Sequence, residues 1–245
     1  MAEDTIYAGR DSDDEPFRFN AAVTRVFPDM LQRSIPGYAA SIEAIGSLAA
    51  RYVKPRTNCY DLGCSLGAAT LAMRHGIAAD GCHIVAVDNA PAMVECCRQV
   101  MEEDDASRTS DTSVEVVHGD IRDVKIANAS MVVLNYTLQF LELADRDAMI
   151  QKILDGLGGG GVLVLSEKVV DDDPHVEELF VDLHHEHKRR NNYSALEISR
   201  KRAALENVLI PESVADHCER LSRAGFRHAA VWLRYFNFVS IVAIR

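Results

Sequence analysis

A chain of 245 residues with 48% hydrophobic and 26% charged positions has the make-up of a soluble globular protein of one domain, or at most two small ones. Its 26 Lys+Arg against 37 Asp+Glu give a formal charge of −11, which argues against a dedicated nucleic-acid binder, because such proteins normally offer phosphates a basic surface. No apolar run approaches the ~20 residues of a membrane helix, and the acidic start is neither a secretory signal nor an Arg-rich transit peptide.

Residues 1–20 read as a flexible N-terminal arm and 21–245 as a single domain. The stretch FPDMLQRSIPGY (27–38) carries two prolines, which break regular structure. From Tyr38 to Val53 the spacing of Ile42, Ile45, Leu48, Ala49 and Tyr52 predicts an amphipathic helix, ended by Lys54-Pro55. An alternation follows. Strand 57–62 leads to helix 68–75; strand 83–88 leads, with Asn89 as a cap and Pro91 in the first turn, to a helix ending near Met101. After a polar loop (102–113) come strands 113–120 and 130–136, an amphipathic helix 143–157 closed by the glycines 158–161, and strand 161–168. Residues 171–210 are polar and mostly helical, 211–224 form a helix stopped by Gly225, and 228–245 read as a terminal hairpin with one antiparallel strand. Strands that alternate with helices and are apolar almost throughout imply a parallel sheet covered on both faces. The six cysteines (Cys59, Cys64, Cys82, Cys96, Cys97 and Cys218) form no C-x-x-C pair, so reduced thiols in an intracellular protein are the simplest reading.

The strongest local motif is DLGCSLG (61–67), after a strand and opening a helix. Gly63 permits the sharp turn and Gly67 a close approach at the helix start. Ser65 stands where a dinucleotide fingerprint has its middle glycine, which weakens a pyrophosphate reading. By itself the turn could hold a ligand or be only a tight connection. Asp88 at the end of the next strand suits a ribose diol, although it could equally cap the following helix. Asp120 and Asn135 end the third and fourth strands on the same sheet edge. Asp120 could accept from an adenine amine beside the backbone of Ile121, a pattern of S-adenosylmethionine sites rather than of NAD sites.

The order FPDMLQRSIPGY, YDLGCSLGAATLAMR, AVDNAPAMVECCR, GDIRD, ASMVVLNYTLQFLE, GGGVLVLSEK, NNYSALEISRKRAALENVL and FNFVSIVA resembles the carboxy-S-adenosyl-L-methionine synthases, a family with the class I methyltransferase fold that does not transfer methyl groups. The likeness runs from about residue 17 to the C-terminus, and its ALEISRKRAALENVL block is not shared by generic methyltransferases. NNYS departs from it, with Asn where the family has Gly. The resemblance implies a Rossmann-like α/β domain: a seven-stranded, mostly parallel sheet with helices on both faces and a helical insertion near 171–210 that supplies substrate contacts and a dimer surface. It implies a cytoplasmic transferase that makes carboxy-S-adenosylmethionine and phenylpyruvate from S-adenosylmethionine and prephenate, without a metal, as a homodimer. The product would serve a partner enzyme that carboxymethylates the tRNA wobble uridine, so this chain would need neither nucleic acid nor membrane.

Carried over residue by residue, the resemblance has Tyr38 contact the cofactor, Gly63, Cys64 and Ser65 line its aminoacyl and ribose part, Asp88 and Asn89 hold the ribose hydroxyls, Asp120 and Ile121 the adenine, and Asn135 lie near the sulfonium. Arg202 is given the catalytic part: it pairs with the new carboxylate, reaching in from the other subunit. A guanidinium suits that group because it binds carboxylate through two parallel hydrogen bonds. In the reaction so implied, hydroxide released as prephenate aromatises takes a proton from the sulfonium methyl, and the carbon dioxide lost in the same step is captured there. The protein then holds reactants close and excludes water, and no side-chain base is expected.

Other readings attach to the same residues. Lys201 and Arg202 on a charged helix could be a solvated face. His184, His185 and His187 spread around a helix axis without a completing ligand, so they read as exposed or interface histidines and not as a metal site. Cys64 lacks a basic partner nearby in sequence and reads as a small side chain beside the ligand. Arg33 could meet a carboxylate or form a surface ion pair. A plain methyltransferase would share the cofactor residues without needing Arg202, and a non-catalytic subunit would bind without turnover.

Overall fold

The computed structural model describes residues 2–8, 17–107, 111–206 and 208–245. Its eight strands are β1 (Asn58–Leu62), β2 (His83–Asp88), β3 (Ser113–His118), β4 (Ala129–Asn135), β5 (Leu157–Val170), β6 (Glu212–Ser213), β7 (His228–Tyr235) and β8 (Phe238–Ile244). The helices are α1 (Ala21–Ser34), α2 (Tyr38–Tyr52), α3 (Ala68–Gly76), α4 (Pro91–Asp105), α5 (Leu143–Gly156), α6 (Pro174–Arg190), α7 (Ala195–Leu205) and α8 (Val214–Ala224), with a 3-10 turn at Leu138–Phe140.

Seven strands lie in the order β3-β2-β1-β4-β5-β8-β7, and the two-residue β6 pairs alongside β5. β1 to β5 are mutually parallel, whereas β8 runs antiparallel to both β5 and β7. The expected mostly parallel sheet with an antiparallel terminal hairpin is therefore present. Both faces are apolar, which is why the strands read as continuous hydrophobic runs. Along β4 and β5, Met131, Val133, Val162 and Val164 pack with Ile45 and Ala49 of α2 and Met73 of α3, while Val132, Leu134, Leu163 and Leu165 pack with Met149, Ile150 and Ile153 of α5 and Leu221 of α8. The chain leaves β1 toward β2 on one side and returns to β4 on the other. That reversal opens a crevice at the carboxyl ends of β1 and β4, where open α/β sheets take their ligands.

Several local expectations need correction. Pro28 lies inside α1 and does not break it. A proline there cannot donate to the carbonyl four residues back. The helix persists because Asn20 caps it, its side chain accepting from Ala22 and Val23, and because Val23, Val26, Phe27 and Met30 are buried. The glycines 158–161 do not close α5: they belong to β5, where the register jumps from Ala129↔Leu157 to Met131↔Val162 and the extra residues form a bulge. The cap before α4 is Ala90, and Asp88, not Asn89, receives its N–H at 2.9 Å. α4 continues to Asp105, and residues 108–110 of the polar loop lie outside the described residues.

Of the arm, residues 9–16 lie outside the described residues, while 2–8 are docked. Asp4 is buried: its N–H donates to Asp29 (2.7 Å), its carboxylate accepts from Tyr193 (2.5 Å), and Lys201 lies 3.5 Å away. All six cysteines are free.

Candidate active site

The turn after β1 is shaped by its backbone. The N–H groups of Gly63 and Cys64 both donate to the Val87 carbonyl of β2, at 2.8 and 3.0 Å, which folds the turn across the sheet edge. Gly63 has φ +84°, and an added Cβ would meet Thr137, 2.9 Å from that residue's own Cβ. No other amino acid fits there without displacing the β4 loop. Ser65 adopts φ +49° and donates its N–H to Asp88 Oδ2 at 2.9 Å. The amide that a dinucleotide fold would turn toward pyrophosphate is thus held by a carboxylate.

A cavity of about 840 Å³ opens beside this turn. All ten residues singled out from the sequence line it, coming from α2 (Tyr38), the β1 turn (Gly63, Cys64, Ser65), the end of β2 (Asp88, Asn89), the segment after β3 (Asp120, Ile121), the end of β4 (Asn135) and α7 (Arg202). Arg202 is exposed at its rim and lines the cavity of its own chain.

Part of the lining is acidic. Asp61 is buried, and burial pushes its carboxyl up to about 6; Oδ2 accepts from Thr70 at 2.6 Å, while Oδ1 has no partner. Asn135 Oδ1 is also buried without a partner. A buried acceptor left unpaired costs about 1–3 kcal/mol, and both of these belong to residues that line the cavity. Asp88 is raised by burial and partly restored by the N–H groups of Ala90 and Ser65. Asp120 is clasped by Arg122, which donates from Nη2 at 2.6 Å and from Nε at 3.0 Å and holds the carboxyl below its usual range. Sequence reasoning passed over this arginine.

The lining also carries cations. Lys168 from β5, Lys188 from α6 and Lys201 from α7 join Arg202 on the wall. None of these lysines was assigned a site role from the sequence; the available signal was the polar SEK (166–168) ending the apolar VLVL run at the carboxyl edge of the strand. His184 and His185 also line the cavity. His184 is not exposed: it is buried, its Nε2 lies 2.9 Å from the Ser34 carbonyl, and burial pushes its pKa down to about 2, so it is neutral. Arg33 points elsewhere, holding Asp29, the Asp4 carbonyl and the Asn191 carbonyl. Burial raises the Tyr38 and Tyr136 hydroxyls, so both stay protonated. Cys64 is raised by its Cys97 neighbour and by burial and is no thiolate nucleophile. Among the described residues no group of three or more His, Cys, Asp and Glu is placed to hold a metal, and no helix is long and apolar enough to cross a membrane.

Two sets of known proteins are similar to this chain. Carboxy-S-adenosyl-L-methionine synthase of Klebsiella pneumoniae (strain 342) is 52% identical over 99% of the chain and 96% of its own length, and that of Vibrio campbellii is 54% identical over 99% and 97%. The chain belongs to the carboxy-S-adenosyl-L-methionine synthase family. Carboxy-S-adenosyl-L-methionine synthases are transferases, and residues 60–161 match the family model described as a methyltransferase domain. Among solved structures, an O-methyltransferase family protein from Burkholderia thailandensis superposes with a TM-score of 0.64 at 14% identity, covering 91% of this chain and 58% of that one. Human N-acetylserotonin methyltransferase, solved with S-adenosylmethionine, gives 0.60 at 16% identity, covering 98% and 57%. These likenesses show the class I methyltransferase fold.

Proposed function

We propose that this chain converts S-adenosylmethionine and prephenate into carboxy-S-adenosylmethionine and phenylpyruvate. What carries the reading, beyond family membership, is the mixed lining of one cavity, where Asp61, Asp88 and Asn135 share the wall with Lys168, Lys188 and Arg202. A methyl donor is cationic at sulfur, and passing its methyl to a nucleophile, with the sulfur leaving as a neutral thioether, creates no anion that would call for cations in the wall. Making a carboxylate beside that sulfur from a dicarboxylate does.

On this reading Asp61 and Asn135 accept from the ammonium of S-adenosylmethionine, Asp88 accepts from the ribose hydroxyls with Asn89 beside it, and Asp120 with the Ile121 backbone takes the adenine edge. Gly63, Cys64 and Ser65 form the floor. Bound S-adenosylmethionine supplies a methyl carbon acidified by the adjacent positive sulfur. Tyr38 contributes a ring face and an un-ionised hydroxyl, and Arg202 binds the carboxylate of the product. The neutral His184 and the protonated tyrosines are given no part as bases, because hydroxide released from prephenate takes the proton on this reading. Further parts of the proposal are a cytoplasmic homodimer and delivery of the product to an enzyme that modifies the tRNA wobble uridine.

The test is mass spectrometry of nucleosides after incubating purified protein with S-adenosylmethionine, with and without prephenate. The expected product is prephenate-dependent, heavier by one carbon dioxide, and accompanied by phenylpyruvate. Unchanged S-adenosylmethionine despite demonstrated binding refutes the reading and leaves a methyltransferase or a non-catalytic subunit.

A further inference from the structure

The cations of the cavity lining differ in what they hold. Lys201 is engaged: it donates to Ser34 Oγ at 2.9 Å and lies 3.5 Å from the Asp4 carboxylate. Lys168 and Lys188 have no such partner: among the described residues no carboxylate stands within ion-pair distance of either side-chain nitrogen, and neither of these nitrogens donates a hydrogen bond. The acids that act on them from a distance are committed elsewhere. Glu177 accepts the Asp171 N–H at 2.9 Å, and Asp4 accepts from Tyr193.

We propose that Lys168 and Lys188 bind the carboxylates of the dicarboxylate co-substrate, leaving Arg202 at the rim for the carboxylate of the product. This rests on the reaction proposed above.

Three observations support the assignment. Lys188 is 8% exposed, deeper than Arg202, so it lies inside the cavity and not in solvent. Its ammonium is not sealed in, so an anion entering the cavity can reach it and offset the burial of its charge. Second, Asn135 pairs in register with Ser166, and Lys168 stands two residues beyond Ser166. Side chains in register share a face, and so do residues two apart. Lys168 therefore projects on the face of Asn135, one pleat further toward the carboxyl edge. Third, the S-adenosylmethionine that Asp61 and Asn135 would hold is a sulfonium. Lysines set in the same cavity repel it unless an anion lies between, and two separate cationic points on β5 and α6 match two carboxylates rather than one. Burial, reinforced by Lys201, Lys168 and Arg202, pushes Lys188 down to about 7, and burial also lowers Lys168. A bound dianion would restore both charges.

The experiment uses the full chain with Lys168→Met, Lys188→Met and the charge-preserving Lys188→Arg. Prephenate KM is read from carboxy-S-adenosylmethionine formation, and the S-adenosylmethionine Kd from calorimetry. Each Met variant is expected to raise prephenate KM at least tenfold while leaving the S-adenosylmethionine Kd within twofold, and Lys188→Arg to recover most of the loss. Unchanged KM in both Met variants, or KM and Kd rising together in both, overturns the assignment while leaving the proposed reaction standing. If the wild-type chain forms no prephenate-dependent product, the reaction itself has failed. Calorimetry of phenylmalonate into the S-adenosylmethionine-loaded protein then decides the lysines: binding lost in both Met variants supports them as a dicarboxylate site, and binding absent in wild type or unchanged in the variants refutes it.

Discussion

Replacing Asp4 by alanine tests the docking of the amino-terminal segment and the support of α7 together. The Asp4 side chain is 1% exposed and that of Lys201 7%, so neither is screened by water. At their 3.5 Å separation the attraction is on the order of 5 kcal/mol for an effective dielectric near 20. Much of this is offset by desolvation, and the cost of removing one partner comes mainly from the charge left behind, typically about 3–5 kcal/mol. Asp4→Ala also strips the Tyr193 hydroxyl of its acceptor at 2.5 Å. We expect a loss of about 3–4 kcal/mol, a large share of the ~5–15 kcal/mol that holds a domain folded. The assay is urea unfolding of wild type, Asp4→Ala, Lys201→Met and the double variant. The double variant should recover at least half of the Asp4→Ala loss, because it no longer buries an unpaired ammonium. A loss below about 1 kcal/mol, or strictly additive single losses, would refute the account of a buried, coupled pair.

Three other outcomes follow from the same geometry. Gly63→Ala forces a Cβ against Thr137 at φ +84°, so it should weaken S-adenosylmethionine binding at least tenfold by calorimetry, whereas Gly159→Ala, with nothing within 4 Å, should not. Arg202→Leu should leave S-adenosylmethionine binding within about twofold but lower turnover with prephenate by on the order of 100-fold, the scale of one lost charge-assisted bidentate contact; wild-type turnover would refute the part given to Arg202. His217 is 1% exposed, both its ring nitrogens lack partners, and burial pushes it down to about 4. Between pH 6.5 and 4 the unfolded chain takes up a proton at this residue that the folded chain refuses, so wild-type stability falls on acidification through that window. His217→Leu should remove that part, on the order of 2 kcal/mol, from the acid limb of the urea midpoint; superimposable acid limbs would contradict it.

The sheet and the cofactor edge were legible because their signals are local. Alternating apolar strands and helices specify the layers, and the DLGCSLG turn, Asp88, Asp120 and Asn135 each follow a strand directly. What escaped depends on partners far away in sequence. Pro28 in α1 is tolerated because Val23, Phe27 and Met30 are buried by other elements. Asp4 looks like one more acid in a polar arm until Tyr193 and Lys201 surround it. Lys188 sits among HHEHKRR, which reads as a solvated run, yet the packing of α6 turns it and His184 inward while Arg189 and Arg190 face water. Helical periodicity gives a stripe but not which neighbour covers it. ALEISRKRAALENVL marked the right helix only through the family resemblance.

The order in which the ribosome delivers the chain sets a constraint on its birth. β5 is a central strand only after β8 has slotted between it and β7, and β8 is the last strand made. The segment from Val170 to Phe238 must emerge first, which at ~5–20 residues per second leaves the β5 flank open for on the order of ten seconds. During that interval an apolar, unpaired ladder is exposed to every other nascent chain nearby. Shortening that exposure, by hastening translation between β5 and β8, should raise the soluble yield without altering a single residue.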